Sequence, residues 1–126
     1  MPALPWTMVR PPDPARTYPA FATRLPLTAH RYVPGFLRDT LRIRRQLRDA
    51  PGLVGYALRA DLLAKTFWTL SVWEDEAALL AFAAAEPHRT VMQRVPARMG
   101  DSTLRAFEVS GADVPLAWAD VQARVS

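Results

Sequence analysis

The run Thr66–Glu74 carries large apolar side chains on both of its faces. Strand alternation puts Trp68, Leu70 and Val72 on one side and Phe67 and Trp73 on the other. Such a strand belongs inside a sheet that is covered on both faces. The chain's own helices can cover one of them. A second copy is the economical cover for the other, because an open face of large apolar groups promotes association. A homodimer is therefore expected.

The rest of the pattern supplies the layers. Tyr18–Leu27 alternates, with Phe21, Thr23 and Leu25 opposite Ala22 and Arg24, and predicts a strand that Pro26 ends or places at an edge. Residues 33–50 follow a helical spacing that stops at Pro51-Gly52. Leu53–Asp61 and Thr66–Glu74 are two strands joined by a connection short enough for a hairpin. Asp75 is a natural N-cap for a helix over 76–85, and Pro87 suits the first turn of another helix that runs to Met99, with Gly100 as its C-cap. Ser102–Val109 is a last strand. The order strand, helix, strand, strand, helix, strand predicts an α+β, ferredoxin-like βαββαβ domain.

Six of the twelve prolines fall in the first 19 residues, and proline lacks the amide that helices and ladders need. Residues 1–18 are accordingly read as an arm, either pinned to the body by Trp6 and Met8 or a loose terminal segment, followed by the domain over 19–111. In the extension over 112–126, Trp118, Val121 and Val125 predict a short helix laid on the body or on a neighbour.

At 126 residues the chain suits one domain. It contains no cysteine, which excludes disulfides, thiolate metal sites and thiol nucleophiles, and its two histidines make a protein-only zinc site a poor expectation. The opening residues lack a secretory pattern and no apolar run is long enough to span a membrane, so the cytoplasm is the expected location. The net charge is +4, and fifteen of the sixteen basic residues are arginine. Sheet-based RNA readers need a basic, glycine- and aromatic-rich strand that does not occur here, so nucleic acid is not an expected partner.

Two residues stand out chemically. Val33, Phe36, Leu37, Thr40, Ile43 and Leu47 share one arc of the first helix with Arg44 in its middle, whereas Arg38, Arg42, Arg45 and Arg48 lie beside Asp39 and Asp49 on a solvated arc. A guanidinium on a buried stripe needs a partner. Arg44 either binds an anionic or enolate oxygen of a ligand, or pairs internally with a carboxylate such as Glu108, or runs its stem out to water. His88 precedes Met92 by one helical turn and should face inward, as a proton shuttle, an oxyanion partner or a haem ligand, or as a core histidine bonded to a carbonyl. His30 reads as a surface residue. Tyr56, Phe67, Trp68, Trp73, Phe82 and Phe107 either line an apolar pocket for a flat ring system or are plain core.

The segment Phe67–Met92, with its Ser71-Val72-Trp73 strand end, Phe82 and the Pro87-His88 pair, resembles the third strand and second helix of the antibiotic biosynthesis monooxygenase-like proteins. The likeness spans residues 19–110 and is nearest to the spheroidene monooxygenase-like branch. It implies a dimeric α/β barrel and a small-molecule substrate. Haem-degrading members carry an Asn, a Trp and a His where this chain has Thr23, Phe82 and Met92, a departure that counts against haem degradation. His88 matches the histidine after proline in the spheroidene monooxygenase-like branch, which keeps a haem role open.

The resembling superfamily includes cofactor-free oxygenases, haem-degrading enzymes and isomerases, and the activity expected here is that of a monooxygenase that needs no cofactor and acts on a flat aromatic or polyketide-like substrate. His88 is its expected base and Arg44 its oxyanion partner, with Thr23, Tyr56, Trp68, Trp73, Phe82 and Met92 around the substrate and no metal. A non-redox cyclase or isomerase in the same cleft, or a haem-binding protein, are the alternatives.

Overall fold

The computed structural model describes residues 3–125. The chain folds as an antiparallel five-stranded sheet with helices, an α+β ferredoxin-like arrangement. The strands are β1 (Ala3–Met8), β2 (Thr17–Pro26), β3 (Leu53–Asp61), β4 (Thr66–Trp73) and β5 (Thr103–Ser110), in spatial order β1-β3-β4-β2-β5. The helices are α1 (Val33–Arg48), α2 (Glu76–Ala84), α3 (His88–Arg94) and α4 (Trp118–Arg124).

Most expected elements lie within two residues of their sequence-based limits. Asp75 caps α2, its Oδ1 accepting the Ala78 N–H at 2.8 Å. The segment after Pro87 is more broken than its spacing suggests. Pro87 is the N-cap of a two-turn α3, which passes into a 3-10 turn over Val95–Arg98. Gly100 is not a cap; its N–H donates to the Pro26 carbonyl at 2.7 Å and ties the end of the 3-10 turn to β2.

The opening segment is not a loose arm. Ala3–Met8 pairs antiparallel with β3 as an edge strand, with an irregularity between Leu4 and Thr7. Pro5 falls inside that irregularity, and an edge strand tolerates a missing amide. Trp6 lies across Gly55: a Cβ there would come within 2.2 Å of the indole, so only glycine admits this contact. Residues 1 and 2 of the expected arm, and residue 126 of the expected C-terminal helix, lie outside the described residues.

Strand register divides the core. On one face, Tyr18, Ala20, Ala22, Leu70, Val72 and Val109 form a cluster with Val121 and Val125. On the other, Phe36, Val91 and Val95 of the helical layer pack on Leu27, Ala60 and Phe67, and Phe82 packs on Leu53, Tyr56 and Trp73. The two-sided apolar character of β4 is thus met by the chain itself. Its second face receives α4 and the segment before it, with Val121 and Val125 fully buried.

Asp39 also departs from expectation. It is not on a solvated arc but 3% exposed, paired with Arg94 of α3 at 2.8 Å. The arc itself is broad enough to admit Asp39, and a partner 55 residues away is invisible to helix periodicity.

Candidate active site

The helix-side face of the sheet is apolar at its ends and polar in its middle rows. Tyr56, Ser71 and Phe21 stand side by side across β3, β4 and β2, and Leu58, Thr69 and Thr23 form the next row. The hydroxyls of Thr23 and Thr69 bond to each other at 2.5 Å, and Thr23 is 7% exposed. Ser71 Oγ accepts the Trp73 indole N–H at 2.9 Å, which fixes the plane of that ring. Thr69 and Ser71 carry no sequence signal of their own; strand parity from Trp73 would have placed them.

Arg44 enters this face from α1. Its Nε donates to the phenol oxygen of Tyr56 at 3.3 Å. Glu108 is not its partner, and among the described residues the side-chain ion pairs are Arg10–Glu74 and Arg94–Asp39. The guanidinium is half-buried, bonded to a neutral oxygen, and keeps its two terminal nitrogens for another acceptor.

His88 sits at the start of α3, half-buried. Its Nδ1 is 3.1 Å from the Ala83 carbonyl oxygen. A carbonyl only accepts, so Nδ1 carries a proton, and the tautomer of the neutral ring that fits this bond has its lone pair at Nε2. The Ala83 carbonyl is available because α2 ends there and its last carbonyls have no helical donor.

Aromatic rings connect the two residues. Tyr56, Trp73 and Phe82 pack in one cluster, Trp73 and Phe82 have ring centroids 5.2 Å apart, and Phe82 and His88 are 5.0 Å apart. Arg44 therefore stands at the Tyr56 end of an aromatic wall and His88 at the Phe82 end. The expected hollow between them is filled by the wall itself, with Tyr56, Trp73 and Phe82 all at or below 9% exposure. A hollow of about 540 Å³ lies elsewhere, lined by Asp113, Pro115, Leu116, Ala117, Asp120, Ala123 and Arg124.

Two residues expected around a substrate fall outside this group. Trp68 is on the opposite face of the sheet, packed against the cluster that α4 closes. Met92 is 39% exposed on α3. Among the described residues no group of three or more His, Cys, Asp or Glu side chains is placed to hold a metal ion, and no helix is long and apolar enough to cross a membrane. His30 is exposed, as expected, with Nε2 3.2 Å from the Leu63 carbonyl.

Comparison with known families adds what geometry alone does not. Residues 31–94, from the turn before α1 to the end of α3, match the antibiotic biosynthesis monooxygenase family. The chain belongs to that family. Solved structures with the same architecture include an antibiotic biosynthesis monooxygenase (TM-score 0.63, 19% identity, 71% of this chain and 95% of that one). SnoaB of Streptomyces nogalater, described as a cofactor-independent oxygenase, aligns with a TM-score of 0.59 at 18% identity over 73% of this chain and 92% of its own. A Pseudomonas aeruginosa protein gives a TM-score of 0.64 at 17% identity, over 73% and 93% of the two chains. At such identities the structural likeness speaks for the fold. No curated protein matches the chain. The family's matched span contains Arg44, Tyr56, Trp73, Phe82 and His88, so the whole aromatic wall lies within it.

Proposed function

We propose that this protein is a small-molecule monooxygenase that oxidises a flat phenolic or polyketide-like ring system without flavin or metal. One observation carries the reading: a guanidinium with spare donors and an imidazole with a free Nε2 are held at opposite ends of a single aromatic wall. Family membership and the description of SnoaB support it. The finer kinship with the spheroidene monooxygenase-like branch rests on the Pro87-His88 pair. His88 is assigned as a base, because its Nδ1–H is bonded to the Ala83 carbonyl and its Nε2 lone pair is left to take a proton.

The chemistry follows from the two ends. A ring system laid along the wall loses an acidic C–H proton to His88 Nε2, and its enolate oxygen is held by the terminal nitrogens of Arg44. The electron-rich carbon then reduces dioxygen and forms a C–O bond. The resulting hydroperoxide loses water and leaves a carbonyl. One oxygen atom ends in the product and one in water, so a CH2 group and O2 become C=O and H2O, with all four electrons drawn from the substrate. Because the wall is closed, the ring system enters by displacing Phe82.

Anthrone, whose central CH2 is acidic and whose product is anthraquinone, is a direct probe. With a chelator present, the protein is expected to consume one O2 per anthrone. His88→Ala should lower turnover by about 10²–10⁴-fold, the usual worth of a general base. Arg44→Ala should slow it as well, with partial recovery in Arg44→Lys. Conversion without oxygen uptake would replace the oxygenase with a proton-shifting isomerase or cyclase, and unchanged turnover in His88→Ala would remove that residue from the mechanism.

A further inference from the structure

We propose that Gln46 is a positioning residue that sets the tautomer of His88, an inference that rests on the reading of His88 as the base. Gln46 leaves α1 two residues after Arg44 and crosses to the α2–α3 turn. Its Oε1 accepts the backbone N–H of His88 at 3.0 Å, and its Nε2 donates to the Phe82 carbonyl at 3.1 Å and to the Ala85 carbonyl at 3.5 Å. These partners fix the amide orientation, since an N–H can only donate and a carbonyl can only accept.

A single side chain thus holds both ends of the segment on which the imidazole depends. One end is the backbone of His88 itself. The other is the final turn of α2, where the Phe82 and Ala85 carbonyls flank the Ala83 carbonyl that receives the proton on Nδ1. With those carbonyls fixed, Nδ1–H is the bonded tautomer and Nε2 faces away with its lone pair. Without the Gln46 tie, the end of α2 and the start of α3 are still joined by the Arg89 N–H to the Ala85 carbonyl at 3.0 Å, but the Phe82 carbonyl and the His88 backbone lose their shared anchor and the Nδ1–Ala83 bond loses its fixed geometry. The other tautomer, protonated at Nε2, cannot accept a proton there. Gln46 touches no reacting atom in this scheme; it acts through His88. The sequence gives no hint of this role, because residue 46 lies at a half-buried border of α1 and its partners are 36 to 42 residues away.

The test needs no substrate. Long-range 15N–1H spectra of the whole protein, labelled at its two histidines, report the tautomer of each ring, and His30 is the internal reference. Above the imidazole titration, wild-type His88 is expected as the Nδ1–H form. In Gln46→Ala, and in Gln46→Glu, which keeps an acceptor for the His88 N–H but cannot donate to Phe82 and Ala85, the population should shift towards Nε2–H while His30 does not change. A His88 that stays fully Nδ1–H in Gln46→Glu, the milder change, overturns the proposal, as does a wild-type protein with His88 in the Nε2–H form. With anthrone, kcat should fall by about 10- to 100-fold in both variants with little change in KM, as expected when a reacting group is misplaced. A shifted tautomer with no anthrone turnover in any form would sustain the positioning role and remove the oxygenase reading.

Discussion

Asp39 on α1 and Arg94 on α3 form an ion pair with 2.8 Å between Oδ1 and Nη2, in which the carboxylate side chain is 4% exposed and the arginine 37%. The pair is asymmetric: the acid is buried and the base reaches water. Losing the base leaves an uncompensated charge in the layer between α1 and α3, whereas losing the acid frees an arginine that can hydrate. Arg94→Met should therefore cost about 3 kcal/mol or more, and Asp39→Asn clearly less. Urea unfolding of the two variants and of the Asp39→Leu/Arg94→Met double variant checks this, with the double variant expected to regain most of the loss.

That pair also marks where reading a sequence stops. Periodicity of 2 and 3.6 delivered four of the five strands, α1 and α2, and the Asp75 cap, because each of those signals lies within a few residues of chain. Strand parity alone separates Trp68 from Trp73, and applying it strictly removes Trp68 from the site. Three features depend on partners distant in sequence and were not legible. Arg94 draws Asp39 inward, β3 gives Ala3–Met8 a ladder despite Pro5, and α4, legible as a helix from its own spacing, takes the β2–β4 face as its surface. At the site, the types Arg44 and His88 were visible, but their partners Tyr56, Ala83 and Gln46 come from three different elements, β3, α2 and α1.

The cover provided by α4 leads to a second prediction. Val121 and Val125 are fully buried against Ala20, Ala22, Leu70 and Val72, with Trp118 and Leu116 at the margin. A chain ending at Leu116 would expose the apolar face of β2 and β4. It is expected to bind a hydrophobic dye and to self-associate, as exposed apolar patches of this kind do. Sedimentation of the full chain and of the shortened chain, at matched concentration, separates association driven by this face from any that the intact protein already shows.

Glu86 carries a pH signature. Its carboxylate accepts from the hydroxyl and from the backbone N–H of Thr90, and these bonds lower its pKa below the ordinary 4.5. A carboxyl with a depressed folded-state pKa adds stability above its unfolded value, and that stability is lost as the pH falls through the folded value. Glu86→Gln should thus be less stable than wild type at neutral pH, with the difference closing between 4.5 and the lowered folded value. Thermal unfolding of both proteins across acidic pH measures the closing gap. Since Glu86 is fully solvent-exposed, the gap should also shrink in high salt.

Phe82 decides between a wall that is only core and a wall that admits a ligand. Its ring fills the space between Trp73 and His88, at centroid distances of 5.2 and 5.0 Å, and is 9% exposed. Phe82→Ala removes that ring and should cost about 3–5 kcal/mol, the usual loss for truncating a buried phenylalanine. The resulting cavity would be bounded by the Trp73 and His88 rings and by Tyr56. If ring systems enter by displacing Phe82, an aromatic of similar size, such as indole, should restore part of the lost stability and perturb the His88 signals in the same titration. Binding stabilises by RT ln(1 + [L]/Kd), so a rise in Tm that grows with indole concentration is the expected readout. A collapsed variant that indole does not stabilise would mean that the α2 helix closes over the gap, and entry past Phe82 would have to be abandoned.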